Sequence, residues 1–331
     1  MSKDNNACTF KTSIGGQALI EGIMMQGPKK RAIVCCTENG YVEKVVDMKP
    51  LKEISPILGW PLIRGCAGFI SSMVNGVKAL SFSVDQLPED MQEEPDKIDL
   101  WIESHFSDET AQKLIIGVAV VLGIALSLFL FLFLPTFIVG LFPAVKADFY
   151  ARTLFEGILK LIIFFVYLIL CSKMNDMKRV FAYHGAEHKT IRCYEARLPL
   201  TVENVRKQTR LHPRCGTSFL LVVMILSILV FSVASSALLA VVPALDAMRG
   251  TILFRVIMIA FKLLLLPLVV AISYEINRIV GRYDNWLTRI LTAPGMWFQY
   301  FTTNEPDDSM IEVGIAALEA VLPAQEGADQ W

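Results

Sequence analysis

The sequence predicts a mainly α-helical protein that crosses a membrane about four times and carries a small N-terminal α+β unit. Three observations lead to this fold class. Hydrophobic residues make up 54% of the 331 residues, more than a soluble domain usually contains. They are concentrated in a few runs with few charges, each close to the roughly 20 residues that cross a bilayer. The chain before these runs instead has short β-rich stretches separated by glycines.

Four apolar runs form the predicted membrane domain, residues 113–272. The first run, residues 113–142, has no charge after its first residue and contains Pro135, which is typical of a kink or a stop. The other three meet the same length criterion and lie at residues 153–171, 218–242 and 251–272. Two helical hairpins are the simplest arrangement of four consecutive spans.

The distribution of lysine and arginine predicts the orientation of the spans. Segment 172–217 contains ten basic and four acidic residues, whereas the turns 143–152 and 243–250 contain three basic residues between them. We therefore expect the long basic loop and both termini on the cytoplasmic side of the plasma membrane. No basic stretch followed by an apolar run opens the chain, so we expect no cleavable signal peptide. All seven cysteines lie on or beside the inferred cytoplasmic side, where disulfides are rare.

The segments outside the membrane domain are assigned by composition. Residues 1–53 are predicted to form a glycine-rich loop, at 13–30, and then a β-hairpin around the Asn-Gly turn signal at 39–40. Residues 54–84 are apolar but broken by proline and glycine, which favours an interfacial or docked helix over a fifth span. Residues 85–112 are predicted to form an acidic linker. Residues 273–331 are predicted to form cytoplasmic amphipathic C-terminal helices.

The segment most suggestive of chemistry is the His-x-x-Glu-His motif at 184–188, the reverse of the zincin motif. On a helix, His184 and His188 lie on one face about 6 Å apart, so both can bind one divalent metal ion, for which we favour zinc. Glu187 is placed to act as the general base of a metal-assisted hydrolysis. Gly185 argues mildly against a rigid helix, by about 1 kcal/mol relative to alanine. The alternative is that both histidines form hydrogen bonds within a basic surface helix.

Four further residues are candidate metal ligands: His212, Cys215, Glu195 and Glu275. His212 and Cys215 lie just before the third span and can complete a closed, fully protein-ligated site, which is typical of structural zinc. Glu195 projects from the same helical face as His188, and Glu275 is the distant acid that an inverted zincin would use. With His212, Glu195 or Glu275 as third ligand, the metal would keep an open position for catalysis. The sequence leaves both arrangements open.

Four segments, GGQALIEGIMMQGPKK, YHGAEHKTIRCYE, LTVENVRKQTRLHPRCGTSF and FTTNEPDDSMIEV, resemble the YqhQ-like family of bacterial integral membrane proteins. The resemblance covers nearly the whole chain. The family is one of unknown function whose members are described as metal-dependent enzymes. The resemblance therefore implies a metal at His184 and His188, and it carries no established reaction.

Three functions are consistent with these patterns. The first is a metal-dependent membrane hydrolase with its site at the cytoplasmic face, acting on a peptide or lipid of the inner leaflet. The second is a non-enzymatic scaffold or assembly protein with a structural zinc site. The third is a transporter, because the two hairpins contain a faint parallel repeat. Besides the lipid bilayer, a second copy of the chain is a candidate partner. The net charge of −1 and the lack of a basic–aromatic platform give no indication of nucleic-acid binding.

Overall fold

The computed structural model describes residues 10–38, 40–87, 105, 108–142, 149–283, 285–325 and 327–330. The chain forms two compact units. One unit consists of Pro88–Leu168, and the other consists of Met1–Leu87 together with Ile169–Trp331.

The N-terminal sheet contains four antiparallel strands in the order β1-β2-β3-β4, which are Gly15–Leu19, Gly22–Gln26, Lys30–Thr37 and Gly40–Asp47. Strands β3 and β4 confirm the predicted hairpin, with Thr37 paired to Gly40 across the turn. The predicted loop at 13–30 is wrong, because β1 and β2 form another hairpin there. Apolar residues of β2, such as Ile23 and Met25, are fully buried, so burial outweighs the weak β-propensity of the flanking glycines.

Two short turns, α1 (Leu51–Ile54) and a 3-10 turn (Pro56–Gly59), lead from the sheet to helix α2, Ile63–Asp85. The C-terminal half of α2 covers one face of the sheet through a cluster of buried residues, which are Leu19, Met24, Ile33, Cys35 and Ala79. The N-terminal half approaches the fourth span so closely that a Cβ at Gly65 would lie 2.9 Å from Cβ of Tyr274.

In the unit Pro88–Leu168, the first span begins with helix α3 (Asp108–Leu128). It continues through a π-helical turn (Phe129–Phe133) into helix α4 (Leu134–Gly140). The π turn ends two residues before Pro135, where a kink or a stop was predicted, and such turns are a known cause of irregularity in helices. Helix α5 (Phe149–Cys171) forms the second span. The acidic linker predicted at 85–112 lies largely outside the described residues.

Seven further helices follow in the described part of the other unit: α6 (Asn175–Glu195), α7 (Val202–Arg206), α8 (Gly216–Val241), α9 (Pro243–Ala247), α10 (Ile252–Arg282), α11 (Trp286–Thr302) and α12 (Asp308–Val321). Helices α8 and α10 pack against each other as the third and fourth spans. Helix α10 runs ten residues past the end predicted for the fourth span, which was residue 272.

Within the described ranges, four helices are long and apolar enough to cross a membrane, and they confirm the predicted number of spans. Their apolar segments are Leu114–Gly140, Arg152–Cys171, Gly216–Val241 and Ile252–Arg282. The four segments contain 27, 20, 26 and 31 residues. Each therefore reaches the roughly 20 residues that a bilayer crossing needs. The mainly α-helical membrane fold with a small antiparallel sheet is therefore the fold predicted from the sequence.

The core of the non-membrane part has three layers. Helix α2 covers one face of the sheet, and α6 and α12 pack together on the other face. Alternate residues of a strand point to opposite faces, so Val34 faces α6 and α12 while Ile33 faces α2. The six described cysteines are all free; Cys8 lies outside the described residues.

Candidate metal centre

Helix α6, which carries the His-x-x-Glu-His motif, is buried along its middle although its composition is polar. Every residue from Phe181 to Thr190 is buried, because the sheet, α7 and α12 pack around the helix. Burying ionisable side chains costs free energy unless each one has a partner. The alternative of a basic surface helix is therefore wrong, and the polar groups of α6 require partners within the fold.

Gly185 allows the chain after α11 to lie directly on α6. A Cβ at this position would collide with the backbone carbonyl oxygen of Asn304. The Asn304 N–H donates a hydrogen bond to the Phe181 carbonyl at 2.7 Å, which holds the two segments together. The glycine that argued mildly against a helix is needed for this close approach.

Each histidine of the motif has one ring nitrogen held by a backbone carbonyl. His184 Nδ1 lies 2.8 Å from the Thr302 oxygen, and His188 Nδ1 lies 2.6 Å from the Arg210 oxygen. A carbonyl oxygen can only accept, so the hydrogen-bond network assigns the proton to Nδ1 in both rings. Each Nε2 is then unprotonated and carries a lone pair, which is the arrangement found in metal-binding histidines.

Cys215 brings a third ligand atom to the two histidines. Its Sγ lies 3.1 Å from His184 Nε2, and the ligand atoms of His184, His188 and Cys215 all lie within 4.8 Å of one another. Cys215 reaches this position because it is the N-cap residue of α8, directly before the third span. Two imidazoles and one thiol at this separation suit a divalent metal such as zinc.

The protonation states of these ligands also suit a metal. Burial lowers the pKa of His188 to about 4, so its imidazole is neutral at pH 7. Burial opposes ionisation of the Cys215 thiol, but hydrogen bonds with the Thr217 hydroxyl and N–H favour the thiolate, and the pKa of the thiol is lowered. A neutral imidazole and a thiolate are the forms that bind metal ions.

Glu187 lies beside the ligands and has one unpaired carboxylate oxygen. The Gly16 N–H of β1 donates a hydrogen bond to this carboxylate, and a Cβ at Gly16 would lie 2.9 Å from Glu187 Cδ. Among the described residues, neither Glu187 Oε2 nor His188 Nε2 has a hydrogen-bond partner. Burial raises the pKa of Glu187 to about 7. A carboxyl group with this pKa and a free oxygen has the properties of a general base or acid.

Two of the predicted ligands, His212 and Glu195, pair with each other. His212 Nε2 lies 3.4 Å from Glu195 Oε2, and the same carboxylate accepts hydrogen bonds from Arg214 and from the Thr12 N–H. Burial lowers the pKa of His212 to about 4. Within the described part of the chain, the ligand group contains neither His212 nor Glu195. Their contacts connect the segment before Cys215 to the N-terminal segment.

Glu275, the third predicted acid, forms an ion pair with Arg64 of α2. Its Oε1 also lies 3.4 Å from the Leu62 N–H. This carboxylate joins α2 to the end of the fourth span, and the ligand group found among the described residues does not include it.

Sequence reasoning missed several residues that support the centre. Arg210 and Thr302 contribute only carbonyl oxygens and Gly16 only an N–H, and no side-chain pattern reveals such backbone contributions. Gln299 of α11 accepts a hydrogen bond from the His212 N–H and donates one to the His212 carbonyl, both at 2.7 Å. The sequence signal that could have identified it is the single amide side chain in the otherwise apolar and aromatic run APGMWFQYF, residues 293–301, because a buried amide needs hydrogen-bond partners.

The family described as "Protein of unknown function (DUF1385)" matches residues 60–324. The protein named "Uncharacterized protein YqhQ" from Bacillus subtilis (strain 168) is 33% identical over 318 residues, covering 96% of this chain and 94% of that protein. No solved structure matches the chain. The family match includes the three ligand residues and Glu187, whereas Gly16 lies before it.

Proposed function

The chain belongs to the DUF1385 family, and from its site we propose that it is a metal-dependent membrane hydrolase. The ligands are His184, His188 and Cys215, and Glu187 is the general base. The observation that carries the proposal is the group of three ligand atoms within 4.8 Å of one another, beside a buried carboxylate oxygen that has no partner among the described residues. Three protein ligands leave one position of a tetrahedral site open, which is typical of catalytic zinc.

In the proposed hydrolysis, Glu187 and several backbone groups would have separate roles beside the metal. A divalent metal would supply Lewis acidity and lower the pKa of water when bound. Glu187 would accept the proton of the attacking water at Oε2, while the Gly16 N–H orients the carboxylate through its hydrogen bond. The carbonyls of Thr302 and Arg210 would keep both imidazoles in the tautomer that presents Nε2.

The position of the ligands in the chain favours a substrate at the membrane surface. Cys215 directly precedes Gly216, the first residue of the third span. The excess of basic residues in segment 172–217 favours the cytoplasmic side of the plasma membrane for the centre and for both termini. A lipid or a membrane-anchored peptide of the inner leaflet can present a hydrolysable bond at this depth.

A structural zinc site in a membrane scaffold is the second candidate, and Cys215 favours it, because thiolates are frequent ligands of structural zinc. A closed site needs a fourth protein ligand. The His212 ring lies 5.5 Å from the His188 ring, but its Nε2 is paired with Glu195. His212 would have to leave that carboxylate to close the site.

Metal analysis of the purified protein tests the ligand set. We expect stoichiometric divalent metal in the wild type and in His212→Gln, and loss of most of it in His184→Ala and Cys215→Ala. Glu187→Gln should keep its metal, because Glu187 is a base and not a ligand. Loss of metal in His212→Gln would favour the closed, structural site. A metal content near zero in the purified wild-type protein would contradict the proposal.

Cobalt(II) substitution tests whether a coordination position is open. Acetohydroxamate should change the visible spectrum of the cobalt protein if the position is open, and a closed site would leave the spectrum unchanged. Catalysis is tested by mass spectrometry of membrane lipid and peptide extracts after incubation with the reconstituted protein. Products that form with the wild type and not with metal-loaded Glu187→Gln would support hydrolysis. Identical extracts would contradict it.

A further inference from the structure

Helix α11 has an apolar outer face. Its sequence of 17 residues contains one charged residue, Arg289. Six large apolar or aromatic side chains are exposed by between 47% and 74%, and they are Trp286, Leu287, Ile290, Leu291, Trp297 and Tyr300. A helix that faces water presents polar residues outward. The outer face of α11 therefore requires an apolar covering.

The inner face of α11 is packed against the start of the third span. A Cβ at Gly295 would lie 2.6 Å from Cβ of Ser218, which belongs to the first turn of α8. Gln299 Nε2 donates a hydrogen bond to Ser218 Oγ at 3.1 Å. Close packing of this face against α8 leaves the opposite face as the one that must be covered.

Both ends of α11 lie on the side of the membrane that carries the metal centre. Helix α8 leaves that side directly after Cys215, and α10 returns to it, ending at Arg282 shortly before α11 begins. At its other end, the Thr302 carbonyl accepts the hydrogen bond from His184. A helix of about 25 Å that is held at both ends on one side cannot cross the bilayer. Its apolar outer face favours a course along the surface of the membrane over one that leads away from it.

We infer that α11 lies in the headgroup layer of the bilayer, with its outer face toward the acyl chains, and that it holds the metal centre at this depth. Lipid is the covering because α11 packs against the spans α8 and α10, which are themselves surrounded by lipid. Tryptophan and tyrosine favour this layer, and Arg282, which is exposed shortly before α11 begins, complements lipid phosphates. If the proposed function holds, the substrate presents its reactive bond at headgroup depth, and this last step rests on that function.

Tryptophan fluorescence in nanodiscs tests the placement of α11 without reference to metal or turnover. The full-length variant keeps Trp297 and has phenylalanine at the other four tryptophans, which are Trp60, Trp101, Trp286 and Trp331. Nanodiscs contain phosphatidylcholine and phosphatidylglycerol, with or without bromine near the headgroup end of the acyl chains. Brominated lipid should remove most of the Trp297 emission, and aqueous iodide should remove little.

The matched control is Glu203→Trp in a protein whose five native tryptophans are all phenylalanine. Glu203 is 74% exposed and pairs with Lys207 on a charged turn of α7, so iodide should quench this position and brominated lipid should not. Ile290→Trp in the same background repeats the measurement on α11 if the Trp297 variant does not fold. The Ile290 side chain is 61% exposed on the same face.

Two outcomes would overturn the inference. Quenching on α11 by iodide and not by brominated lipid would place the outer face in water. Resistance to both quenchers would mean that protein covers it, either another part of the chain or a second copy. If brominated lipid quenches α11 in a protein that binds no metal, the placement of the helix is supported and the proposed function is contradicted. The two proposals can therefore fail separately.

Discussion

Replacing Gly185 by alanine should have two opposing effects on stability: a higher helix propensity and a collision with the segment that lies on α6. Alanine is favoured over glycine within a helix by about 1 kcal/mol, so a prediction from the helix alone is that Gly185→Ala stabilises the protein. In the fold, the added Cβ would collide with the Asn304 carbonyl oxygen. Neither partner is a flexible side chain, because both belong to the backbone of packed segments.

The structure allows the net effect to be estimated. Overpacking costs about 1–3 kcal/mol, and moving the loop away would break the hydrogen bond from Asn304 to Phe181, at a cost of about 1 kcal/mol. Subtracting the helix preference of about 1 kcal/mol leaves a destabilisation of about 1–3 kcal/mol. The same displacement would pull the Thr302 carbonyl from His184 Nδ1, so we also expect weaker metal binding.

The assay is thermal unfolding of the purified protein in detergent, combined with competition for bound metal by a chelator. The matched control is Gly123→Ala, because a Cβ at that helical glycine would meet no described atom within 4 Å. Gly185→Ala should unfold at a lower temperature and lose metal at a lower chelator concentration, whereas Gly123→Ala should match or exceed the wild type. Wild-type stability and metal retention in Gly185→Ala would refute the reasoning.

Two further predictions concern the buried polar groups around the centre. Glu195→Gln should destabilise the protein by about 3 kcal/mol or more, because it leaves the Arg214 cation buried without its counter-charge. Glu203→Gln removes the exposed ion pair with Lys207 and should lower the free energy of unfolding by at most about 1 kcal/mol. Equal destabilisation of the two variants in unfolding experiments would contradict this prediction. The pKa of His212 is about 4 in the fold and about 6.5 in the unfolded chain, so the unfolded state binds more protons below pH 6.5. Stability should therefore decrease as the pH falls from about 6.5 to 4; His212→Gln should reduce this decrease, and an unchanged pH profile in that variant would exclude His212 as its cause.

Several features of the fold could be predicted because their physical causes are local. A bilayer crossing requires a continuous apolar run, so four such runs were sufficient to identify four spans. The hairpin of β3 and β4 was predicted from the Asn-Gly signal and the flanking β-rich runs. The hairpin of β1 and β2 was missed because Gly15, Gly16 and Gly22 weaken the strand pattern. Gly16 and Gly22 are required by close approach to other backbone and to Glu187, which the pattern does not reveal.

Part of the candidate site could likewise be predicted from residue spacing, and part of it could not. Spacing alone places His184 and His188 on one face of a helix, because residues four apart in an α-helix are neighbours wherever the helix lies. Spacing could not select among Cys215, His212 and Glu275 as the next ligand, because their distances depend on how the chain returns after α7 and on where α10 packs. It also left Glu195 open, because this residue ends the same helix seven residues past His188. The fold brings Cys215 to the histidines and pairs the other three residues elsewhere.

By itself, the sequence determined that this protein is built on four membrane spans and has a two-histidine motif on a helix. Both depend on hydrophobicity and on hydrogen bonds between residues close in the chain. Only the tertiary structure decided that the polar helix α6 is buried, that Cys215 faces its histidines and that Glu187 Oε2 has no hydrogen-bond partner in the described part of the chain. These properties depend on packing between segments far apart in the chain, and residue spacing within any one segment does not specify that packing.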